Sequence, residues 1–388
     1  MKVLSMAWTI YDGRLEQFAD DYTGAGTVIK NICEYIGRRT ESYLFVGKCR
    51  MPEMKLGHIH IVGTDTEPAV EGEGLARTEK RLRTRTNAFR SALEKIKPDI
   101  VNIHGIGELA LRCIAICTEK NIPYVYTEHL FITRDKQFSQ YDDSLELQER
   151  LYSMPGLNII AVSSGMKNKI LWDFPSIPFD KIQVITNGTD FVPDIVQSDF
   201  RNRYGLSGKK VLLCVGTILD RKNQCQLVKM FQVLPLAIQD KLKILFCGRD
   251  CMNGTLQDCI NAADLQDKLI YVGAVSSDDM KKYYSVADGL VMPSYAEGLS
   301  IAALEAISYG LPVIMFSDSE CMQELQDEKV VCTAAERSDQ CLAEAVVEWY
   351  GREWDRQYIT DYARYFSLER VAEEYMEYYQ DVINEMGE

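Results

Sequence analysis

Short apolar, often β-branched runs alternate along this chain with longer stretches in which apolar residues recur every three to four positions. Runs at residues 3–7, 43–46, 100–103, 124–127, 158–162 and 183–185 are each followed by such a stretch. Strands separated by helical crossovers must lie parallel in one sheet, so this alternation predicts an α/β fold. The pattern pauses at residues 187–198 (NGTDFVPDIVQS), where Gly, Pro and Asp break both periodicities. It then restarts, with strand-like runs at 211–215, 243–247, 269–272, 289–292 and 313–316.

Two doubly wound domains in tandem follow from that restart. The expected division is residues 1–190 for the first and 191–365 for the second. From about residue 338 onward the pattern is helical, with Trp349, Tyr350, Trp354, Tyr362, Phe366, Val371, Tyr375 and Tyr379 at three-to-four spacing. Residues 366–388 are expected to form a terminal helix that packs back on the first domain. A length of 388 residues agrees with two cores rather than one.

Charge narrows the partners. A formal net charge of -14 repels polyphosphate backbones, and no basic tail offsets it, so nucleic acid is not expected as a partner. Residues 1–10 run into Tyr11 without a small-residue cleavage site, and no apolar run nears the roughly 20 residues that span a bilayer. A cytoplasmic protein is the expectation. The 12 cysteines are scattered through apolar segments and read as buried free thiols. Cys113/Cys117 and Cys247/Cys251 each lack a second pair to complete a metal site, so no metal is expected.

The richest chemistry lies at residues 293–300 (PSYAEGLS) and the helical stretch after them, which carries Glu305 and stops at 309–312 (YGLP). Gly298, Leu299 and Ser300 stand where a helix begins. Backbone N–H groups and the positive dipole end there suit a diphosphate. Glu297 in the loop can accept hydrogen bonds from sugar hydroxyls, and Glu305 farther along can meet a ribose diol. Upstream, the run ending in Val215-Gly216-Thr217 is followed by Arg221-Lys222-Asn223 before the next helix. A strand-to-helix turn at the carboxyl edge of a parallel sheet collects ligands, and adjacent cations there can stabilise a departing diphosphate.

Together with Gly24-Ala25-Gly26, Thr127-Glu128-His129, Ala161-Val162-Ser163-Ser164 and residues 184–190 (VITNGTD), this ordered series resembles the retaining glycosyltransferase family four, glycosyl transferases group 1. The resemblance implies the GT-B architecture: two Rossmann-like doubly wound parallel-sheet domains facing a central cleft. It also implies a metal-independent, retaining hexosyltransferase. The donor would be a UDP- or GDP-type nucleotide sugar held mainly by the second domain, and the acceptor a glycan or a lipid-linked glycan. Such enzymes serve cell-surface polysaccharide or glycoconjugate synthesis. By the same resemblance, Arg221 and Lys222 hold the diphosphate with Gly216, Glu297 holds the sugar, and Glu305 the ribose. His129 reaches the transferred sugar, and the Gly24/Gly26 loop closes over the phosphates. This chain departs from the family at Thr217, where many members carry arginine, and at Ala25, where a Gly-Gly pair is common.

Other readings have discriminating features. A dinucleotide oxidoreductase needs G-x-G-x-x-G directly after the first strand, and Gly24/Gly26 come too late. A pyridoxal-dependent phosphorylase needs a dedicated lysine context that is missing. An epimerase of the same architecture, or a non-catalytic nucleotide-sugar-binding partner subunit, is separated by a transfer assay. Ser163 reads as a helix cap rather than a nucleophile, since no G-x-S-x-G surrounds it. Residues 77–97 carry eight cations against Glu79 and Glu94, with Leu75, Leu82, Phe89, Leu93 and Ile96 on one face. They form either a surface helix or a contact with anionic membrane at the inner membrane face.

Overall fold

The computed structural model describes residues 1–10, 24–48, 53–64, 74–132, 142–190 and 199–387. These divide into two compact units: Met1–Gly188 with Leu368–Glu388, and Thr189–Ser367.

The first unit is built on strands β1 (Lys2–Ala7), β2 (Glu41–Val46), β3 (Glu53–Leu56), β4 (Ile59–Gly63), β5 (Ile100–His104), β6 (Tyr124–Glu128), β7 (Ile159–Ala161) and β8 (Ile182–Val184). They form one sheet in the order β3-β4-β2-β1-β5-β6-β7-β8. Every neighbouring pair is parallel except β3 with β4. The strands at the centre of the sheet are buried on both faces; all five residues of β5 and of β6 are buried. Such continuous burial is what helices on both faces impose. The hairpin β3–β4 has no counterpart in the sequence expectation. On β4, Ile59 and Ile61 are buried while His60 between them is exposed, a one-sided alternation in too short a run to stand out.

The terminal helix Leu368–Gly387 belongs to this unit. Val371, Tyr375, Tyr379 and Val382 recur at helical spacing and are buried. Inside, Asn102 Nδ2 donates to Tyr379 OH at 2.6 Å. Outside, Arg39 pairs with Glu369 at 3.1 Å and Glu373 at 2.7 Å. The helix can approach residue 188 because that residue is Gly: a Cβ there would sit 3.1 Å from the Leu368 backbone.

The second unit holds β9 (Lys210–Val215), β10 (Leu242–Cys247), β11 (Leu269–Gly273), β12 (Gly289–Met292), β13 (Val313–Phe316) and β14 (Val331–Ala334), all parallel, in the order β11-β10-β9-β12-β13-β14. Strand β14 is the second addition to the sequence expectation: four residues (VCTA) between charged flanks carry too little periodicity to read. The core joins Leu212, Ile244, Phe246, Ile314 and Phe316 to Trp349 of the helix Asp339–Gly351.

In both sheets the winding reverses once. It reverses between β1 and β5 in the first unit, and between β9 and β12 in the second. At such a reversal the loops leave the two adjacent strand ends in opposite directions and open a crevice beyond the carboxyl edge.

Candidate functional site

In the second unit, the loops after β9 and β12 carry the site, and both flank the reversal point. Strand β9 ends at Gly216, whose φ of 137° only glycine adopts readily. Gly248, following β10, approaches so closely that a Cβ on it would lie 1.9 Å from the Gly216 carbonyl oxygen. The two glycines thus let the ends of β9 and β10 close up backbone to backbone. A short helical turn at Asp220–Lys222 follows, closed by Asn223 with φ 53°, a left-handed conformation that Asn tolerates. That turn is tied to the loop after β12. Tyr295 N donates to Arg221 O at 2.8 Å, Asn223 Nδ2 donates to Pro293 O at 3.3 Å, and Arg221 Nη1 donates to Ala296 O.

This stitching brings three predicted residues together. Lys222 Nζ donates to Glu297 Oε1, and Arg221 Nη1 stands 3.5 Å from the same oxygen. Their side chains are 17%, 13% and 11% exposed for Lys222, Arg221 and Glu297, so the charges are largely withdrawn from water yet reachable. Burial works to raise the Glu297 carboxyl pKa, but the Lys222 and Arg221 cations, with a hydrogen bond from Ser294, hold it below the usual carboxylate range. Glu297 is therefore ionised at neutral pH. Its backbone N donates to Glu320 Oε2 at 3.0 Å, which fixes the loop from below. The buried, solvent-shielded Arg221 Nε has no partner among the described residues.

Gly298, Leu299 and Ser300 are buried and lead directly into the helix Ile301–Ser308. Ser300 occupies the cap position without a side-chain capping bond. Glu305, on this helix, sits in a different environment from Glu297: Tyr284 OH donates to its Oε2 at 2.8 Å. Burial raises the Glu305 pKa to about 7, against the lowering effect of the Tyr284 bond, and the nearby Asp190 adds to the rise. The two glutamates thus differ in protonation because one faces cations and the other a phenol.

In the first unit, Gly24 and Gly26 open the helix Gly24–Gly37, and the residues just before them lie outside the described set. His129 follows β6 immediately. Its Nε2 lies 3.0 Å from His104 Nδ1 at the end of β5, with the rings stacked at 5.3 Å between centroids. Beside it, the buried Glu128 accepts from Tyr126 OH at 3.0 Å, Tyr152 OH at 2.8 Å and Leu130 N at 3.3 Å. Burial pushes its carboxyl up to about 7.

Several supporting residues escaped the sequence reading. Arg337 donates to Ser294 O at 2.7 Å and to Asp318 Oδ2 at 2.8 Å, and its guanidinium lies 5.6 Å from the Tyr295 ring centroid. It follows the unread strand β14, so nothing in the sequence placed it near residue 294. Tyr284 and Glu320 carried no local motif either. His104 carried one legible signal: it ends a strand that neighbours the one leading to His129. Ser163 caps its helix, accepting from Met166 N at 3.2 Å. The basic stretch forms the helix Leu75–Ile96. Leu75 is 89% exposed rather than on its buried face, and Arg85 is buried instead, 4.6 Å from the Trp8 ring centroid. Cys251 is exposed, unlike most of the described cysteines. A surface cavity of about 490 Å³ lined by Tyr43, His60, Lys95 and neighbours lies by the β3–β4 hairpin and holds none of the predicted site residues.

Two parallel-sheet α/β domains, each with its ligand-prone loops at a winding reversal, define a GT-B glycosyltransferase. The chain belongs to this class by sequence as well: residues 22–191 match Glycosyltransferase Family 4, and residues 196–366 match Glycosyl transferases group 1. It is similar to an uncharacterized glycosyltransferase of Methanocaldococcus jannaschii, 26% identical over 64% of this chain and 66% of that one. It also resembles the GDP-mannose-dependent alpha-(1-6)-phosphatidylinositol monomannoside mannosyltransferase of Mycobacterium tuberculosis, 25% identical over 44% of this chain and 47% of that one. A third relative is the alpha-monoglucosyldiacylglycerol synthase of Streptococcus pneumoniae, 26% identical over 58% and 54%. The matched stretch thus spans between about half and two thirds of these relatives' own length. Among solved structures, sucrose-phosphate synthase from Thermosynechococcus elongatus superposes with a TM-score of 0.78 at 16% identity, over 99% of this chain and 100% of that one. Anabaena HepE in complex with UDP and glucose gives 0.70 at 15% identity, over 98% and 100%. No described helix is long and apolar enough to cross a membrane.

Proposed function

We propose that this glycosyltransferase moves a hexosyl group, with retention of anomeric configuration, from a nucleoside diphosphate sugar to a glycan or lipid-linked acceptor. The observation that carries the reading is the convergence of Arg221, Lys222 and Glu297 at the carboxyl ends of adjacent strands. Breaking the anomeric C–O bond builds negative charge on the leaving diphosphate and positive charge on the sugar. Arg221 and Lys222 supply fixed cations for the former, and the start of the Ile301–Ser308 helix adds backbone donors. These groups, rather than a divalent metal, are proposed to hold the diphosphate, close to Gly216 and Gly298–Ser300. When donor arrives, Glu297 exchanges part of its ion pair for the sugar hydroxyls. Glu305 takes the ribose diol, and His129 donates to a hydroxyl of the transferred sugar. No carboxylate is assigned as a covalent nucleophile; attack on the same face as the departing phosphate gives retention.

A lipid-linked acceptor is favoured by one further feature. The helix Leu75–Ile96 exposes Leu75, Lys80 and Arg83 along its first half, whereas Arg90 and Lys95 in its second half are engaged by Glu119 and Glu53. Contact with an anionic surface would therefore use the first half, and the protein would work in the cytoplasm at the inner membrane face.

The test is incubation with UDP- and GDP-hexoses and a panel of glycan and lipid-linked acceptors, with proton NMR of the product. An α-linked product from an α-linked donor is the expected result. An inverted linkage, or donor hydrolysis with no transfer to any acceptor class, would overturn the reading.

A further inference from the structure

Two of the chain's four histidines meet in the first unit. His104 ends β5 and His129 follows β6; the two strands are adjacent and parallel, with His104 opposite Thr127 and His129 two residues farther along. His104 Nδ1 lies 3.0 Å from His129 Nε2. The outer nitrogens, His104 Nε2 and His129 Nδ1, are closed to solvent and have no partner among the described residues. Four ring nitrogens thus lie in series, with one hydrogen bond at the centre and a vacant position at each end.

A neutral pair holds two protons. One sits in the central bond, and the other must sit on one of the two outer nitrogens. Burial depresses both imidazoles, His129 to about 4, so the pair is neutral at physiological pH. Two arrangements remain. If His129 donates to His104, an N–H is stranded on His104 Nε2, deep in the sheet where His104 is only 3% exposed. If His104 donates, its Nε2 keeps a bare lone pair, and the N–H appears on His129 Nδ1, the less buried ring. Either way one N–H is left on a solvent-closed nitrogen, and an N–H without an acceptor is costly; on His129, the less buried of the two residues, an arriving sugar hydroxyl would supply that acceptor, so the second arrangement is the one the sugar contact calls for.

We propose that His104 is a positioning residue that donates Nδ1–H to His129 Nε2 and thereby fixes His129 as the tautomer whose Nδ1 carries a proton for a hydroxyl of the transferred sugar. The proposal rests on the reading of the chain as a sugar transferase. It assigns His104 no contact with the reacting atoms. The carboxylate of Glu128, on the next residue, is occupied by Tyr126, Tyr152 and Leu130 N. The imidazole of His129 is therefore oriented by His104 and not by its acidic neighbour.

The test uses the full chain with nitrogen-15-labelled histidine, where only four ring systems need assignment. Long-range nitrogen–proton NMR reads the tautomer of His129 directly. The expected result is a proton on Nδ1 in the parent protein and a shift toward the Nε2 tautomer, which isolated imidazole side chains prefer, in His104→Phe. His104→Gln, whose amide can donate, should restore the Nδ1 form. In transfer assays His104→Phe should lower kcat about 100-fold, as misplacement of a group near the chemistry does, with donor KM unchanged. Adding His129→Ala to it should cost nothing further. A circular-dichroism melt confirms that each variant folds. A His129 proton on Nε2 in the parent, or a tautomer that ignores His104→Phe in a folded protein, would overturn the proposal. If His129→Ala transfers sugar at the parent rate while the tautomer still follows His104, the sugar contact fails and the positioning role stands.

Discussion

Arg221 and Glu297 come from loops after two different strands, yet their charged groups stand 3.5 Å apart because β9 and β12 are neighbours across the winding reversal. With Lys222 on the same carboxylate oxygen, the cluster carries two positive charges against one negative. It holds a net positive charge in a largely desolvated position, which suits a diphosphate.

Lys222→Ala removes one of the two cations proposed to face the leaving group and leaves Glu297 paired with Arg221. Turnover should fall about 100 to 1000-fold, the usual cost of losing one such donor, while the melting temperature moves little. Glu297→Ala should likewise abolish transfer and leave a folded protein. Steady-state kinetics with a melt on each variant decides the matter; near-parental turnover in both removes the cluster from the mechanism.

Glu305 gives a pH signature. Its folded pKa of about 7 exceeds the ordinary 4.5, so the folded state keeps a proton that the unfolded state has already lost between those values. Stability therefore falls as pH rises across that window and levels off above it. Glu305→Gln removes the effect. The variant should gain stability relative to the parent by up to roughly 3 kcal/mol at high pH and nothing at low pH, each pKa unit being worth about 1.4 kcal/mol. Urea melts at both ends of the range check this. With the ionised form proposed to accept the ribose hydroxyls, donor KM should also rise as pH drops below about 7.

Gly248→Ala places a methyl group 1.9 Å from the Gly216 carbonyl oxygen, against backbone that cannot yield cheaply. We expect destabilisation of about 1–3 kcal/mol, the range for overpacking, together with weakened donor binding, since the shifted strand end carries the site. Gly351→Ala is the matched control. Nothing lies within 4 Å of its added Cβ, at the end of the helix Asp339–Gly351, and stability should hold or rise by a few tenths of a kcal/mol. Thermal melts of the two variants give the comparison.

If the first half of the helix Leu75–Ile96 meets lipid, the chain should sediment with phosphatidylglycerol vesicles at low salt and be released as salt rises, since the attraction is screened. Lys80→Glu with Arg83→Glu should abolish sedimentation, while Arg90→Glu should not. Absence of binding at low salt would leave the helix as an ordinary surface element.

Much of this was legible in the sequence, for physical reasons specific to each part. Strands buried on both faces, such as β12 and β13, announce themselves as unbroken apolar runs. The loop at 293–300 carries its chemistry in consecutive residues. What stayed hidden depends on partners distant in sequence. Strand β4 needed β2 beside it to be stable, and β14 is too short to show a period. Arg337 and Tyr284 matter only because the fold carries them to Ser294 and Glu305. The His104–His129 contact joins the ends of two strands whose pairing no local motif encodes.

The most direct test of the central claim is calorimetric titration of UDP and GDP into the parent protein and into Arg221→Ala/Lys222→Ala. The account predicts that one of these nucleotides binds the parent and that its Kd weakens at least 10-fold in the variant, since a hydrogen bond to a charged group contributes about 1.5–3 kcal/mol. An unchanged Kd in a folded variant would contradict it.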